Sequence, residues 1–460
     1  MFSLWQYQRL AEGTGWERDF TRYAQNTWRR TIRARGGYWT GDFVITGLST
    51  FQYQNLYSVL IGKRIVEKSW GRTTWEGEII GLSMTLNGVT NEQSMDSELW
   101  HNKVKCQYTF PSAVDVQQGG VLAYVAPGGD DGFQDSLQDF SDWEVLAGDA
   151  THEIRITNDD GTQCSGYMGE ATQTLNPDDS IWLFKDRGRG VAGINGDTVA
   201  KTPLTYIVSD IDNSGTQQAT DWSENVGSSD IYGESQYIEV LPEECYLTAA
   251  EASRDRRLED FAYPRSQPVG GLSSDEPQSS GNQMTVTCAG YVFSMNRRFY
   301  ETNMPPLAIS TQIGTLVTAS EYVTDGGILV NDTINSSLTG AAMTFKLWDG
   351  IEGLALLGDS SANRYRCGVH ADRLFTYDLA ETTALYEWRS GQLRYATGQL
   401  VPPTLIMPDI IVRLEAPLVV APPDASWQTV TQVYITEVEY VAPNGYRLVT
   451  DAGDVLVGGF

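Results

Sequence analysis

In Trp75-Glu-Gly-Glu78 two carboxylates stand two residues apart inside an otherwise apolar run. Residues i and i+2 of a strand share a face, so Glu76 and Glu78 project side by side. Paired carboxylates about 5–9 Å apart can serve glycoside hydrolysis. The plainer reading is one solvated face of a sheet. A second constellation is Asp210-Ile-Asp212-Asn-Ser214-Gly215, with Asp221 at loop position twelve. Asp210, Asp212, Ser214 and Asp221 match the oxygen-ligand spacing of a calcium loop of the EF-hand type, with Gly where that loop turns. Against calcium, Asp replaces the usual bidentate Glu, and the preceding Thr205–Val208 reads as strand rather than helix.

Other chemistry is sparse. The chain holds no HExxH, no GxSxG, no P-loop and no GxGxxG that opens a helix after a strand. Cys106, Cys164, Cys245, Cys288 and Cys367 are odd in number and far apart, which disfavours a disulfide scaffold or a structural zinc site. They read as buried thiols of a protein assembled in a reducing cytoplasm. His101, His152 and His370 have no ligand or nucleophile near them in sequence and read as structural. Asn331-Asp-Thr333 and Asn335-Ser-Ser337 are sequons without a secretory context: the opening MFSLWQYQRL lacks a charged segment followed by an apolar one. No run approaches the roughly 20 apolar residues that span a bilayer.

Charge narrows the field further. The 460 residues carry 32 Lys+Arg against 59 Asp+Glu, a net charge of −27. Binding of free nucleic acid through a basic surface is not expected, because counterion release needs clustered cations. Residues 1–75 depart from the rest, with eleven basic side chains against five acidic ones. Arg29, Arg30, Arg33 and Arg35 concentrate that surplus into a candidate docking patch for an acidic partner, including another copy of the chain. The plainer reading is a solvated face. Thirteen Trp and 23 Tyr also raise the idea of a carbohydrate-binding surface, although many stand at core-like spacings.

The elements that must position these residues are mostly strands. Hydrophobic residues make up 41 % and aromatics 11 % of the chain, enough for several packed cores. Gly36-Gly37 between two β-rich runs predicts a two-residue hairpin. Ser49 or Thr50 predicts the start of a helix that carries Phe51, Tyr53, Leu56, Tyr57, Leu60 and Ile61 toward a core and stops at Gly62. A meander follows through Arg64–Trp70, Thr73–Ile80, Leu82–Leu86 and Lys103–Phe110. In the acidic, Gly-rich middle, strands are expected at Glu153–Thr157, Ile181–Phe184, Thr205–Val208 and Tyr237–Leu241. Residues 262–283 are rich in Pro, Gly and Ser and read as a linker. A strand is expected over Met284–Phe293 and an amphipathic helix over Ala341–Leu357, with Gly350 and Gly353 as blemishes. Strands then follow at Leu374–Tyr377, Ala384–Trp388, Ile410–Leu414, Val430–Tyr440 and Tyr446–Val449. The expected fold is mainly β with a few helices. Its blocks are a β domain (1–112), an acidic loop-rich β domain or insertion (113–265), a linker with a second β segment (266–340), and a helix followed by a C-terminal β domain (341–460).

Several of these runs resemble the hub proteins at the tail tip or baseplate of tailed bacteriophages. Within 36–109 the resemblance is carried by Gly36-Gly37-Tyr38-Trp39, the helix leading to Gly62-Lys63-Arg64-Ile-Val, Trp75-Glu-Gly-Glu-Ile-Ile, Met84-Thr-Leu and Asn102-Lys-Val-Lys-Cys-Gln-Tyr108. Leu347-Trp-Asp-Gly-Ile-Glu-Gly-Leu-Ala-Leu-Leu-Gly-Asp359 and Arg364-Tyr-Arg-Cys-Gly-Val-His370 are similar to the helix and following strands of the same class. The resemblance covers at most about half the chain and leaves 111–265 aside. It implies two related small β-barrel-like domains per chain and a homotrimeric ring of pseudo-sixfold symmetry between tail tube and tip. It also implies a non-enzymatic role in the virion without a cofactor, with DNA only in transit through the ring. The neighbours would be a distal tail or tube protein, the tape measure and tip proteins. Two other readings compete: a carbohydrate- or receptor-binding protein of the virion, and a secreted glycoside hydrolase, which the missing export signal disfavours.

Overall fold

The computed structural model describes residues 2–9, 15–69, 71–96, 99–110, 215–245, 247–269, 281–336, 344–380, 386–389, 392–395, 397, 399–401, 417–421, 431–441 and 445–459, with the backbone of short strands between 114 and 210. The fold is mainly β with a few helices. The chain divides into two compact units. The first comprises Met1–Asn102, Asn225–Gln236 and Phe261–Phe460; the second comprises Lys103–Glu224 and Tyr237–Asp260.

The first unit is built on β1 (Phe2–Tyr7), β2 (Arg29–Arg33), β3 (Arg35–Thr46), α1 (Thr50–Val59), β4 (Arg64–Ser69), β5 (Arg72–Leu86) and β6 (Val89–Ser94). It continues through β7 (Ser266–Val269), β8 (Gln283–Ala289), α2 (Ile309–Thr318), β9 (Thr324–Ile328), α3 (Leu347–Leu357), β10 (Tyr365–Val369) and β11 (Leu374–Leu379). It closes with β12 (Thr431–Val441), β13 (Gly445–Thr450) and β14 (Val455–Gly459).

The long strand β5 organises the sheet. Its first half pairs antiparallel with β4 and its second half with β6, while β8 lies along its other edge. β8 also pairs antiparallel with β3, so a strand from residues 283–289 is inserted between two strands of the first hundred residues. β3 continues to β2, then to β12, β13 and β14. The segments that sequence composition separates into an N-terminal block and later blocks are therefore one sheet. The region expected as a linker contributes β7, which pairs with β6; residues 270–280 lie outside the described residues.

The hairpin expected at Gly36-Gly37 is placed differently. Arg33 pairs with Gly37 across the hairpin, so the connection is the three residues Ala34-Arg35-Gly36 rather than two glycines, with Gly36 (φ +128°) in the turn and Gly37 already in the ladder. The glycines serve a close crossing: Arg35–Gly37 run parallel to Cys367–Val369 of β10. Gly37 has φ +72°, and a Cβ there would stand 2.3 Å from the Val369 carbonyl oxygen. A Cβ on Gly368 would stand 2.2 Å from the Gly37 nitrogen. No larger residue fits either side of this crossing.

α1 begins as expected. Ser49 caps it, and Gln52 returns a bond to the Ser49 N–H, which completes a capping box. Tyr53 and Tyr57 face the core, but Phe51 is 75 % exposed and is not a core aromatic. The main core gathers Trp28, Trp75, Trp100, Phe43 and Tyr53 with apolar residues of β8 and β12. A second core lies where α2 and α3 pack against β10 and β11. α3 is shorter than the expected 341–357, because Phe345–Lys346 form a strand pair with Phe299–Tyr300. Gly350 is no blemish: a Cβ there would meet Phe345 Cε2 at 2.4 Å and Leu316 Cδ1 at 3.0 Å. The expected strand through Phe293 ends at Ala289, and Val292–Asn296 are helical.

In the second unit Lys103–Thr109 pairs with Gln217–Ala219 and Ser223–Glu224. Cys106, Tyr108, Phe110 and Ala250 form its described core. The strands His152–Thr157, Ile181–Lys185 and Thr205–Asp210 fall where the sequence places them. The expected strand at 410–414 lies outside the described residues. Among the described residues no helix is long and apolar enough to cross a membrane.

Candidate functional site

β4 and β5 place charged side chains on both faces of one buried hairpin. In their register Glu67 faces Trp75, Val66 faces Glu76, Ile65 faces Gly77 and Arg64 faces Glu78. The pleat therefore puts Ile65, Glu67, Trp75 and Gly77 on one side, and Arg64, Val66, Glu76 and Glu78 on the other. A Cβ on Gly77 would stand 2.1 Å from the Ala289 carbonyl oxygen and 2.5 Å from Trp75 Cη2. Glycine between the two carboxylates thus lets β8 and the indole close over the opposite face.

On the first face the Trp75 ring meets Trp28 edge-on at 5.4 Å. Glu67 is buried, accepts a bond from Trp28 Nε1 at 3.3 Å and is ion-paired with Arg30. Arg30 donates to Thr74 Oγ1 at 3.2 Å and lies under the Tyr440 ring of β12. Burial holds the Arg30 guanidinium down to about 10, which leaves it charged at neutral pH.

On the second face Glu76 and Glu78 are both buried, which corrects the expectation of a solvated sheet face. Arg64 Nη2 is 2.9 Å from Glu76 Oε1, and the Asp372 N–H donates to Glu76 Oε2 at 2.9 Å. Glu78 is held by two cations: Arg9 Nε at 3.0 Å from Oε1, and Arg297 Nη1 at 3.3 Å from Oε2. Each guanidinium is also backed by an aromatic ring: Arg64 by Tyr7, Arg9 by Tyr322 and Arg297 by Trp100. Burial raises the Glu76 carboxyl above its ordinary range, with Arg64 opposing the rise. Burial lowers Arg297, with Glu78 opposing the fall. Tyr291 is fully buried beside both carboxylates; burial, and then their charge, push its hydroxyl well up.

Three of the four carboxylate oxygens accept hydrogen bonds inside the protein, and the fourth, Glu76 Oε1, is buried in its ion pair with Arg64 without accepting one. General acid–base work needs a carboxyl within reach of a substrate proton. Here Glu76 and Glu78 instead act as cross-links, drawing residues 9, 64, 297 and 372 onto one strand. Sequence reasoning missed Arg9, Arg64, Glu67 and Arg297. The available signal was charge placed inside apolar strand runs, as in Arg64-Ile-Val-Glu67 and Trp75-Glu-Gly-Glu-Ile-Ile80.

The arginine patch does not survive as four exposed cations. Arg29 is exposed, but Arg30 belongs to the core ion pair with Glu67. Arg33 is 2.6 Å from Glu437 of β12 and stacks on Trp39, and Arg35 is half-buried. Alternation along the strand turns Arg30 inward and leaves Arg29 and Arg33 on the other face, where Arg33 is engaged by Glu437.

Of the calcium-loop residues, Asp212 and Ser214 lie outside the described residues, and Asp210 ends a strand. Asp221 is exposed, and its backbone carbonyl accepts from Arg254 at 3.1 Å. Among the described residues no three His, Cys, Asp or Glu side chains cluster as a metal site. Cys106, Cys245, Cys288 and Cys367 are free thiols, and His101 is buried and stacked on Phe261. Both sequon asparagines are buried: Asn331 donates to Gly358 O and to the Tyr377 hydroxyl, and Asn335 donates to Gln312. No protein-family model and no curated protein matches the chain.

Proposed function

We propose that this chain is a structural, non-enzymatic subunit of a phage tail tip or baseplate hub. In this reading it forms a homotrimeric ring that joins the tail tube to the tip and lines the DNA channel of the virion. The observation that carries the reading is how the resemblance-bearing residues are used. Gly36-Gly37 from the first resembling stretch and Gly368 from the second meet in one parallel crossing, at a separation only glycine permits. Trp75-Glu-Gly-Glu78, the element with the most chemical promise, is spent on ion pairs that cross-link the same sheet. A ring subunit needs such a rigid frame, since its work is to hold large interfaces in register. The overall charge of −27 suits a surface past which a polyanion must move without adhering. Partners in this reading are further copies of the chain, a distal tail or tube protein, the tape measure and tip proteins.

Native mass and particle imaging test the proposal. A trimer with an axial hole supports it. A monomer that binds glycan moves the assignment to a receptor-binding protein of the virion.

A further inference from the structure

The turn between β10 and β11 is strained and latched. His370 N–H donates to the Leu374 carbonyl at 2.9 Å, and the Leu374 N–H returns to Ala371. The two central residues, Asp372 and Arg373, both have φ +60°. A two-residue turn with both centres left-handed normally takes Asn and Gly, and an arginine there is disfavoured. Two contacts from residues some 300 positions earlier hold it. Buried Glu76 of β5 accepts the Asp372 N–H, although the Asp372 side chain itself is 81 % exposed. The His370 ring packs edge-on against Tyr38 of β3 at 5.5 Å, with Nδ1 3.5 Å from Thr376 Oγ1. The strained turn is thus a clasp that closes the C-terminal half of the sheet onto the N-terminal half.

We infer that the His370–Leu374 turn is an acid-released clasp, with His370 as the residue that senses protons and the left-handed Asp372-Arg373 pair as the stored strain that opens it. The groups facing His370 are Tyr38 from β3, Arg366 and the Gly368 backbone from β10, and Thr376 and Asp378 from β11. Desolvation of the half-buried ring, and then Arg366, hold its imidazole down to about 4, with Asp378 opposing. The closed turn therefore keeps His370 neutral, while the open turn returns it to its ordinary range near 6.5. Between those values the open form takes up a proton that the closed form refuses, so acid favours opening. Glu76 is faced by Arg64, Asp372, Arg373, Tyr38, Tyr291 and Glu78, and its raised carboxyl works in the opposite sense. The pH-dependent part of the drive to open comes from the histidine alone, and the strain of the left-handed pair acts at every pH.

Hydrogen–deuterium exchange of the full chain, corrected for intrinsic rates, tests the clasp. Protection of peptides covering 365–379 should fall by up to about 25-fold between pH 7.5 and pH 5, the limit set by His370 with Glu76 opposing, while peptides from β5 and β8 hold theirs. His370→Asn, which cannot titrate, should keep that ratio near one. Arg373→Gly, which removes the left-handed cost, should raise protection at both pH values. The inference is overturned if wild-type protection of 365–379 is flat with pH, if it falls together with β5 and β8, or if His370→Asn loses as much as wild type. Should His370→Asn not fold, the Arg373→Gly comparison decides: no gain in protection removes the stored strain and with it the clasp.

Discussion

Glu78→Gln removes one negative charge from between two buried guanidiniums. Arg9 and Arg297 stand 3.0 and 3.3 Å from the carboxylate, and all three side chains are less than a tenth exposed. The amide keeps the volume and one acceptor, so packing is preserved and the change is electrostatic. Breaking a buried ion pair on one side typically costs about 3–5 kcal/mol, because the remaining charge stays buried without its counterion. Two cations are stranded here, which places the expected loss at the upper end, about 5 kcal/mol. Arg9→Gln leaves Glu78 paired with Arg297 and should cost less, about 1.5–3 kcal/mol for one charge-assisted bond. Glu439→Gln breaks the more exposed pair with Arg447 and should cost about 0–1 kcal/mol. Urea unfolding followed by tryptophan fluorescence gives the assay, since Trp100 lies against Arg297. A Glu78→Gln protein that loses less than 1 kcal/mol, or no more than Glu439→Gln, would refute the assignment of the carboxylates as structural cross-links.

Other substitutions separate the roles further. Gly77→Ala drives a Cβ to within 2.1 Å of backbone at Ala289, and soluble yield and melting temperature should fall more than for any single charge-neutral surface change. Arg30→Glu should prevent folding by placing two carboxylates together at Glu67, whereas Arg29→Glu should fold normally; circular dichroism distinguishes them, and light scattering of Arg29→Glu then reports on assembly alone. Ser49→Ala removes the capping box of α1 and should cost about 0.5–2 kcal/mol in thermal unfolding.

Local signals in the sequence were legible and long-range ones were not. Ser49 with Gln52, and Gly62 with its positive φ, are read from neighbours in the chain, and α1 lies between them as expected. The middle strands were likewise visible as short apolar runs between turns. What failed were inferences about which face or partner a residue meets. Arg29, Arg30, Arg33 and Arg35 cluster in sequence, yet strand alternation sends Arg30 into the core, and Arg33 on the other face is taken up by Glu437 from a strand some 400 residues away. Gly36-Gly37 were legible as part of a hairpin, but not as one side of a close crossing, because the other side, Gly368, lies more than 300 residues away. α2 was missed because Ile309, Thr311, Ile313, Thr315, Val317 and Thr318 are β-branched residues, disfavoured in helices until packing against α3 and β10 overrides propensity. Glu76 and Glu78 were found as a pair, but their burial depends on Arg9, Arg64 and Arg297, which no spacing rule connects to them.

The central claim, that the chain is a ring-forming structural subunit, is met most directly by the mass of the native particle across a concentration series, followed by imaging. The account predicts a species of three 50.9 kDa chains with a central hole. A chain that stays monomeric at every concentration, alone and mixed with tail-tube protein, would contradict it.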